Sequence, residues 1–184
     1  MIILITIIAL GVLFGLFLMS TYNKLVKNRM YVEESFSTID TYLKRRYDLI
    51  PNLVETVKGA KNYESETLER VIRARNSYLS ASTPEEKISN EKQVSGFLGK
   101  LFALQESYPD LKANESFVTL QTQLSKIEED ILQARKYYNG CVRNYNVSCE
   151  TFPSNIIADM FNFKKYSFFT IENQEEKENV KVSF

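Results

Sequence analysis

The sequence predicts an all-α protein: an N-terminal transmembrane helix continuous with an antiparallel up-and-down helical bundle, then a short C-terminal amphipathic helix and an extended tail. Three observations predict it. Met1 to Met19 carry no charge and one weakly polar side chain, Thr6. Six Gly and four Pro in 184 residues are few breakers for this length, and long helices follow from that. Beyond the span, apolar side chains recur at alternating steps of three and four, the seam of helices that pack lengthwise.

Nineteen helical residues rise about 28 Å, close to the hydrocarbon thickness of a bilayer. A cleaved signal peptide wants a basic start, a short core and small residues at the cut. Here no Lys or Arg precedes the core, no A-x-A pattern closes it, and no Cys follows it as a lipoprotein would need. A core helix apolar on every face fits badly in a domain this small. Residues 1–20 therefore read as a retained signal anchor. Lys24, Lys27 and Arg29 follow the span, and the positive-inside rule places the domain in the cytoplasm with the N-terminus outside. Gly11 and Gly15 make a small-xxx-small pattern, which chance suffices to explain.

The bundle occupies residues 21–162. Its first helix continues through Val32, Phe36, Ile39, Leu43, Ile50, Leu53 and Val57, with Arg46 taking the remaining step of the seam. Pro51 predicts a kink near Tyr47 to Pro51, and Gly59 a weak point before a restart at Asn62. The next face is Leu68, Val71, Ile72, Arg75, Tyr78 and Leu79. Ser82-Thr83-Pro84-Glu85-Glu86 reads as an N-cap, a proline at the first helical position, then acids. The helix that follows turns Ile88, Val94, Phe97, Leu98, Leu101 and Leu104 inward. Tyr108 to Ala113 is a second turn, and Asn114 caps the most regular helix. That helix carries Phe117, Leu120, Leu124, Ile127, Ile131, Ala134, Tyr138, Cys141 and Tyr145. Short connections make neighbours antiparallel. Phe152-Pro153 ends it, and Ser154 caps a short helix to Phe161 with Ile156, Ile157, Met160 and Phe161 apolar. The tail, residues 163–184, is aromatic (Phe163, Tyr166, Phe168, Phe169), then acidic from Glu172 to Asn179. Its last residues, Val180 to Phe184, alternate and could dock on a neighbour.

Composition narrows the chemistry. There are 23 basic and 23 acidic residues and no His. The balance leaves no electrostatic footprint for nucleic acid. Without His, Ser-His-Asp and Cys-His nucleophile pairs and His-based zinc sites are excluded. Cys141 and Cys149 lie about 12 Å apart on a helix, beyond the reach of a disulfide, and read as apolar fillers. Asn114-Glu-Ser and Asn146-Val-Ser match the glycosylation pattern, accidentally if the domain is cytosolic. Lys44, Arg45, Arg46 and Asp48 form the densest polar run. Interhelical ion pairs are its expected role, with Arg135 and Glu128 or Glu129 as candidate partners. A lipid-headgroup site is the rejected alternative, because Arg46 lies nearly 40 Å beyond Ser20 along a straight helix. Arg70, Arg73 and Arg75 with Glu64, Glu66 and Glu69 make a solvated face. Glu128, Glu129 and Asp130 point in different directions and suggest no metal site. Tyr137, Tyr138 and Tyr145 are expected in the core or at subunit contacts. No catalytic, cofactor-binding or metal-ligating residue is assigned.

Several strings resemble the LemA family: YNKLVKNRMYVEESFSTIDTYLKRRYDLIPNLVETVKG from Tyr22, YPDLKANESFVTLQTQL from Tyr108, QARKYYNGCVRNYN from Gln133 and TFPSNIIADMFNFKKYSFF from Thr151. The closing Val180-Lys-Val-Ser-Phe also matches. Met30 and Ala60 depart from the usual pattern. The resemblance implies a bacterial membrane-anchored bundle with its N-terminus outside and no settled activity; a magnetosome protein related to the family is linked to forming a membrane compartment. The expected function is a non-enzymatic scaffold in the inner membrane that self-associates and organises or remodels the bilayer. The alternative is an adaptor that positions another membrane protein, such as an envelope protease. Expected partners are the lipid bilayer, further copies of the chain and another membrane protein, with no nucleic acid.

Overall fold

The computed structural model describes residues 1–58, 65–103, 111 and 113–170. Among them lie five helices and no strand: α1 (Ile2–Lys58), α2 (Ser65–Ser80), α3 (Pro84–Ala103), α4 (Glu115–Glu150) and α5 (Ser154–Met160). The fold is all-α, and the packing of the helices is that of a helical bundle. The chain divides into two compact units, residues 1–48 with 123–168 and residues 49–122 with 169–184.

α1 is a single helix of 57 residues with Pro51 inside it. Its first part holds an 18-residue window of mean hydropathy 3.0, none of it buried. That exposure removes the core-helix reading and leaves a helix long and apolar enough to cross a membrane. The hydroxyl of Thr6 donates to the Ile3 carbonyl at 2.8 Å, so the one polar side chain of the stretch is satisfied within its own helix.

In the first unit, α1 packs against α4, and contacts along the pair give its direction. Asn28 Nδ2 donates to Ser148 Oγ at 3.0 Å, the rings of Phe36 and Tyr138 lie 5.8 Å apart, and Arg46 reaches Glu128. Position rises along α1 as it falls along α4, so the pair is antiparallel. Val32, Ile39 and Leu43 of α1 are buried with Leu124, Ile131, Tyr138 and Tyr145 of α4. These are seam positions, and each large side chain contributes about 1.5–3 kcal/mol by leaving water. Val142, next to the half-buried Cys141, takes the fully buried step.

In the second unit, Ile50, Leu53, Val54 and Val57 are buried, as are Leu68, Val71, Ala74 and Tyr78 of α2, Ile88, Val94 and Leu98 of α3, and Leu111 and Phe117. Leu79 is 48% exposed, contrary to expectation; Ala74 occupies the inward step between Val71 and Tyr78. The α2–α3 connection is a capping box. Thr83 Oγ1 accepts from the Glu86 amide at 3.2 Å, and Glu86 Oε2 accepts from the amides of Ser82 and Thr83 at 2.9 and 3.3 Å. Pro84 opens the helix, where its missing N–H costs nothing. Asn114 Oδ1 accepts from the Phe117 amide at 3.1 Å, the expected cap of α4. Gly59, the inward positions Phe97, Leu101 and Leu104, most of the Tyr108 turn and the end of the tail lie outside the described residues or side chains.

Candidate membrane-proximal and tail-docking site

The tail does not trail away from the bundle; residues 163–168 run back along α4. Tyr145 donates its hydroxyl to the Lys164 carbonyl at 3.0 Å, and Tyr138 donates to the Ser167 carbonyl at 3.0 Å. Asn146 pairs twice with Tyr166: its Nδ2 donates to the carbonyl at 2.9 Å and its Oδ1 accepts from the amide at 3.1 Å. The Tyr166 hydroxyl then donates to Glu33 on α1 at 3.0 Å, and Lys165 pairs with Glu150. Burial pushes the Tyr145 phenol well above its ordinary range. The side chains of α4 thus satisfy a segment that has no ladder of its own.

The tail starts from a built helix end. Asn162 adopts φ 55°, the left-handed conformation that asparagine tolerates. The Phe163 amide donates to the Ala158 carbonyl at 2.9 Å and the Asn162 amide to the Asp159 carbonyl at 3.2 Å; together these make a Schellman motif. Ser154 does not cap α5. Its hydroxyl donates to the Thr151 carbonyl at 2.8 Å, while Pro153 precedes the helix with no side-chain cap bond.

α5 lies against the exit of the apolar span. The Tyr22 ring packs 4.8 Å from that of Phe161 and 5.7 Å from that of Phe163. A cleft of about 270 Å³ is lined by Leu18, Met19, Tyr22, Ile157, Met160 and Phe161. A second, of about 370 Å³, is lined by Phe17, Thr21, Lys24 and Leu25 together with residues 147–148 and 151–154. Only part of the apolar face of α5 is covered. Ile157 and Ala158 are buried, whereas Phe152, Ile156, Met160 and Phe161 are 76%, 53%, 67% and 56% exposed.

On the α1–α4 pair, Tyr31 and Tyr137 are 42% and 63% exposed. The phenol of Tyr137 is raised first by Cys141, one turn away, then by burial, and last by the charges of Glu34 and Tyr31. Of the three tyrosines singled out, Tyr138 and Tyr145 are buried and Tyr137 is not in the core.

The polar run resolves into one buried charge. Arg46 is 1% exposed, and its Nη1 lies 2.6 Å from Glu128 Oε2; Lys44, Arg45 and Asp48 face solvent. Arg135 is also buried. Arg73 and Glu69 face each other at 3.8 Å on the surface. Cys141 and Cys149 are both free, and burial raises the Cys149 thiol. Among the described residues no group of three His, Cys, Asp or Glu is placed to hold a metal ion.

The family model "LemA family" matches residues 35–184. The chain is similar to Protein LemA of Metamycoplasma hominis, 28% identical over 157 residues, which is 82% of this chain and 70% of that protein. Magnetosome protein MamQ 2 of Paramagnetospirillum magneticum is 31% identical over 72 residues, 39% of this chain and 26% of its own length. Magnetosome protein MamQ of Magnetospirillum gryphiswaldense is 29% identical over the same share of each. None of these names states an enzymatic activity.

Proposed function

Because this chain belongs to the LemA family, we propose that it is a membrane-anchored, non-enzymatic scaffold that self-associates and organises or remodels a bacterial membrane. The observation that carries this reading is the exposure of Tyr31 on α1 and Tyr137 on α4, 42% and 63%, with Tyr31 close enough to raise the Tyr137 phenol. Large aromatic side chains with a polar tip are favoured at interfaces. A second copy of the same flank is the occupant that a two-fold contact requires. The apolar start of α1 and the bundle-forming part of α1 are one helix, so association of the flanks also gathers the anchors. Lys24, Lys27 and Arg29 after the span support an inner-membrane location with the N-terminus outside and the bundle in the cytoplasm. The 72-residue similarity to magnetosome proteins supports the membrane-organising part by analogy.

The test is imaging and native mass measurement of the full-length protein in lipid. Several copies per particle are expected, with fewer copies when Tyr31→Ser and Tyr137→Ser are combined. Monodisperse single copies at physiological expression overturn the scaffold. Crosslinking of Tyr137 in cells to one stoichiometric foreign protein replaces it with the adaptor.

A further inference from the structure

We propose that the corner where α4 turns into α5 is a second membrane contact, in which Phe152, Ile156, Met160 and Phe161 enter the acyl-chain boundary of the bilayer that α1 crosses. This goes beyond the scaffold and does not depend on it. The depth of the corner follows from its neighbours. Met160 and Phe161 line a cleft with Leu18 and Met19, the last apolar residues of the span. Phe152 lines the other cleft with Phe17 and Lys24. Side chains that share a cleft with the end of the span stand at the same level of the membrane.

The pattern of the corner fits that depth. Ile156 and Met160 lie one turn apart on α5 and form one stripe, with Phe152 exposed just before the helix. Asp159 is exposed next to this stripe and Asn155 is half-buried. The stripe is exposed while the adjacent Ile157 and Ala158 are buried against the protein; α5 is thus covered on one flank and bare on the next. Bare apolar side chains grouped in this way mark a contact. The bilayer is the occupant because Phe17 and Met19 beside them, also exposed at 42% and 59%, must be covered by lipid if α1 spans. Tyr22 and Lys24 sit at the level where aromatic and snorkelling basic side chains meet headgroups. The arrangement is an interfacial foot beside the anchor.

The chain has no Trp, so single tryptophans report directly. F152W, I156W and F161W are placed in the full-length protein in phosphatidylcholine–phosphatidylglycerol vesicles whose acyl chains are brominated near the headgroup. F17W serves as the reference for insertion and Y137W for the aqueous domain, with helical circular dichroism required of each variant. Loss of most of the emission at F17W, F161W and at least one of F152W and I156W, with Y137W unaffected, is the expected result. Full emission at all three corner positions while F17W is quenched overturns the proposal, as does blue-shifted but unquenched emission, which signals cover by protein. An unquenched F17W overturns it too, by removing the span.

Discussion

Arg46 on α1 donates through Nη1 to Glu128 on α4 at 2.6 Å, with the guanidinium 1% exposed and the carboxylate 48% exposed. The charge sits at a seam position between the buried apolar steps Val32, Ile39 and Leu43 and the buried Ile50, Leu53 and Val57, so the pair fixes which turn of α4 lies opposite which turn of α1. Glu128→Ala removes one partner of a buried charge. The expected loss lies between the ~1 kcal/mol of an exposed pair and the ~3 kcal/mol of a broken buried one. Chemical denaturation in detergent reads it, and an unchanged midpoint would show that Arg46 is satisfied without Glu128.

Asn114 holds the first turn of α4 through the Phe117 amide. Asn114→Ala is expected to cost about 1 kcal/mol. Hydrogen exchange should quicken at the first amides of α4 and stay unchanged at its centre. Asn114→Asp keeps the acceptor and should retain most of the protection.

The carboxyl of Glu86 is held below its ordinary value of 4.5, first by the Ser82 amide and then by the Thr83 amide. A depressed folded value means the cap contributes fully above the unfolded value and is lost as pH falls through the folded one. Relative to an unprotected amide at the same pH, exchange at Ser82 and Thr83 should therefore accelerate on acidification below the ordinary carboxylate range. Glu86→Gln keeps an acceptor oxygen and should abolish that pH dependence. An equal acceleration in the glutamine variant would assign the effect elsewhere.

Asn146 makes two hydrogen bonds to the Tyr166 backbone. Each is worth about 1 kcal/mol net, so Asn146→Ala should free residues 163–168 for proteolysis without melting the bundle. Asn146→Asp keeps only the acceptor and should give an intermediate rate. Cleavage at the wild-type rate in both would mean that Tyr138 and Tyr145 suffice to hold the tail.

Repetition made most of the fold legible. The three-four spacing of Val32 to Leu43 and of Leu124 to Tyr145 is a local property, and burial follows it. Arg46 stood out because a charge interrupts an otherwise apolar register, and Glu128 was among its candidate partners. The proline and acids at 83–86 announced α3 because caps are chosen by backbone geometry at one helix end. Docking of the tail was not legible. Asn146, Tyr138 and Tyr145 bind carbonyls and amides about 20 to 30 residues away, and side-chain-to-backbone bonds leave no periodic trace. Arg75 and Leu79 stand one position beyond the buried Ala74 and Tyr78, because neighbouring helical positions differ by 100° and only the partner helix decides between them. Ile156, Met160 and Phe161 are legible in the sequence as an apolar face. That the face stays bare depends on α5 meeting α1 at the exit of the span.

The most direct test of the central claim is the mass of the full-length protein in native-membrane nanodiscs at physiological expression, before any detergent is added. A self-associating anchor predicts particles holding several 21.4 kDa chains, fewer when Tyr31 and Tyr137 are both changed to Ser. A uniform population with one chain per disc, unaffected by those changes, contradicts it.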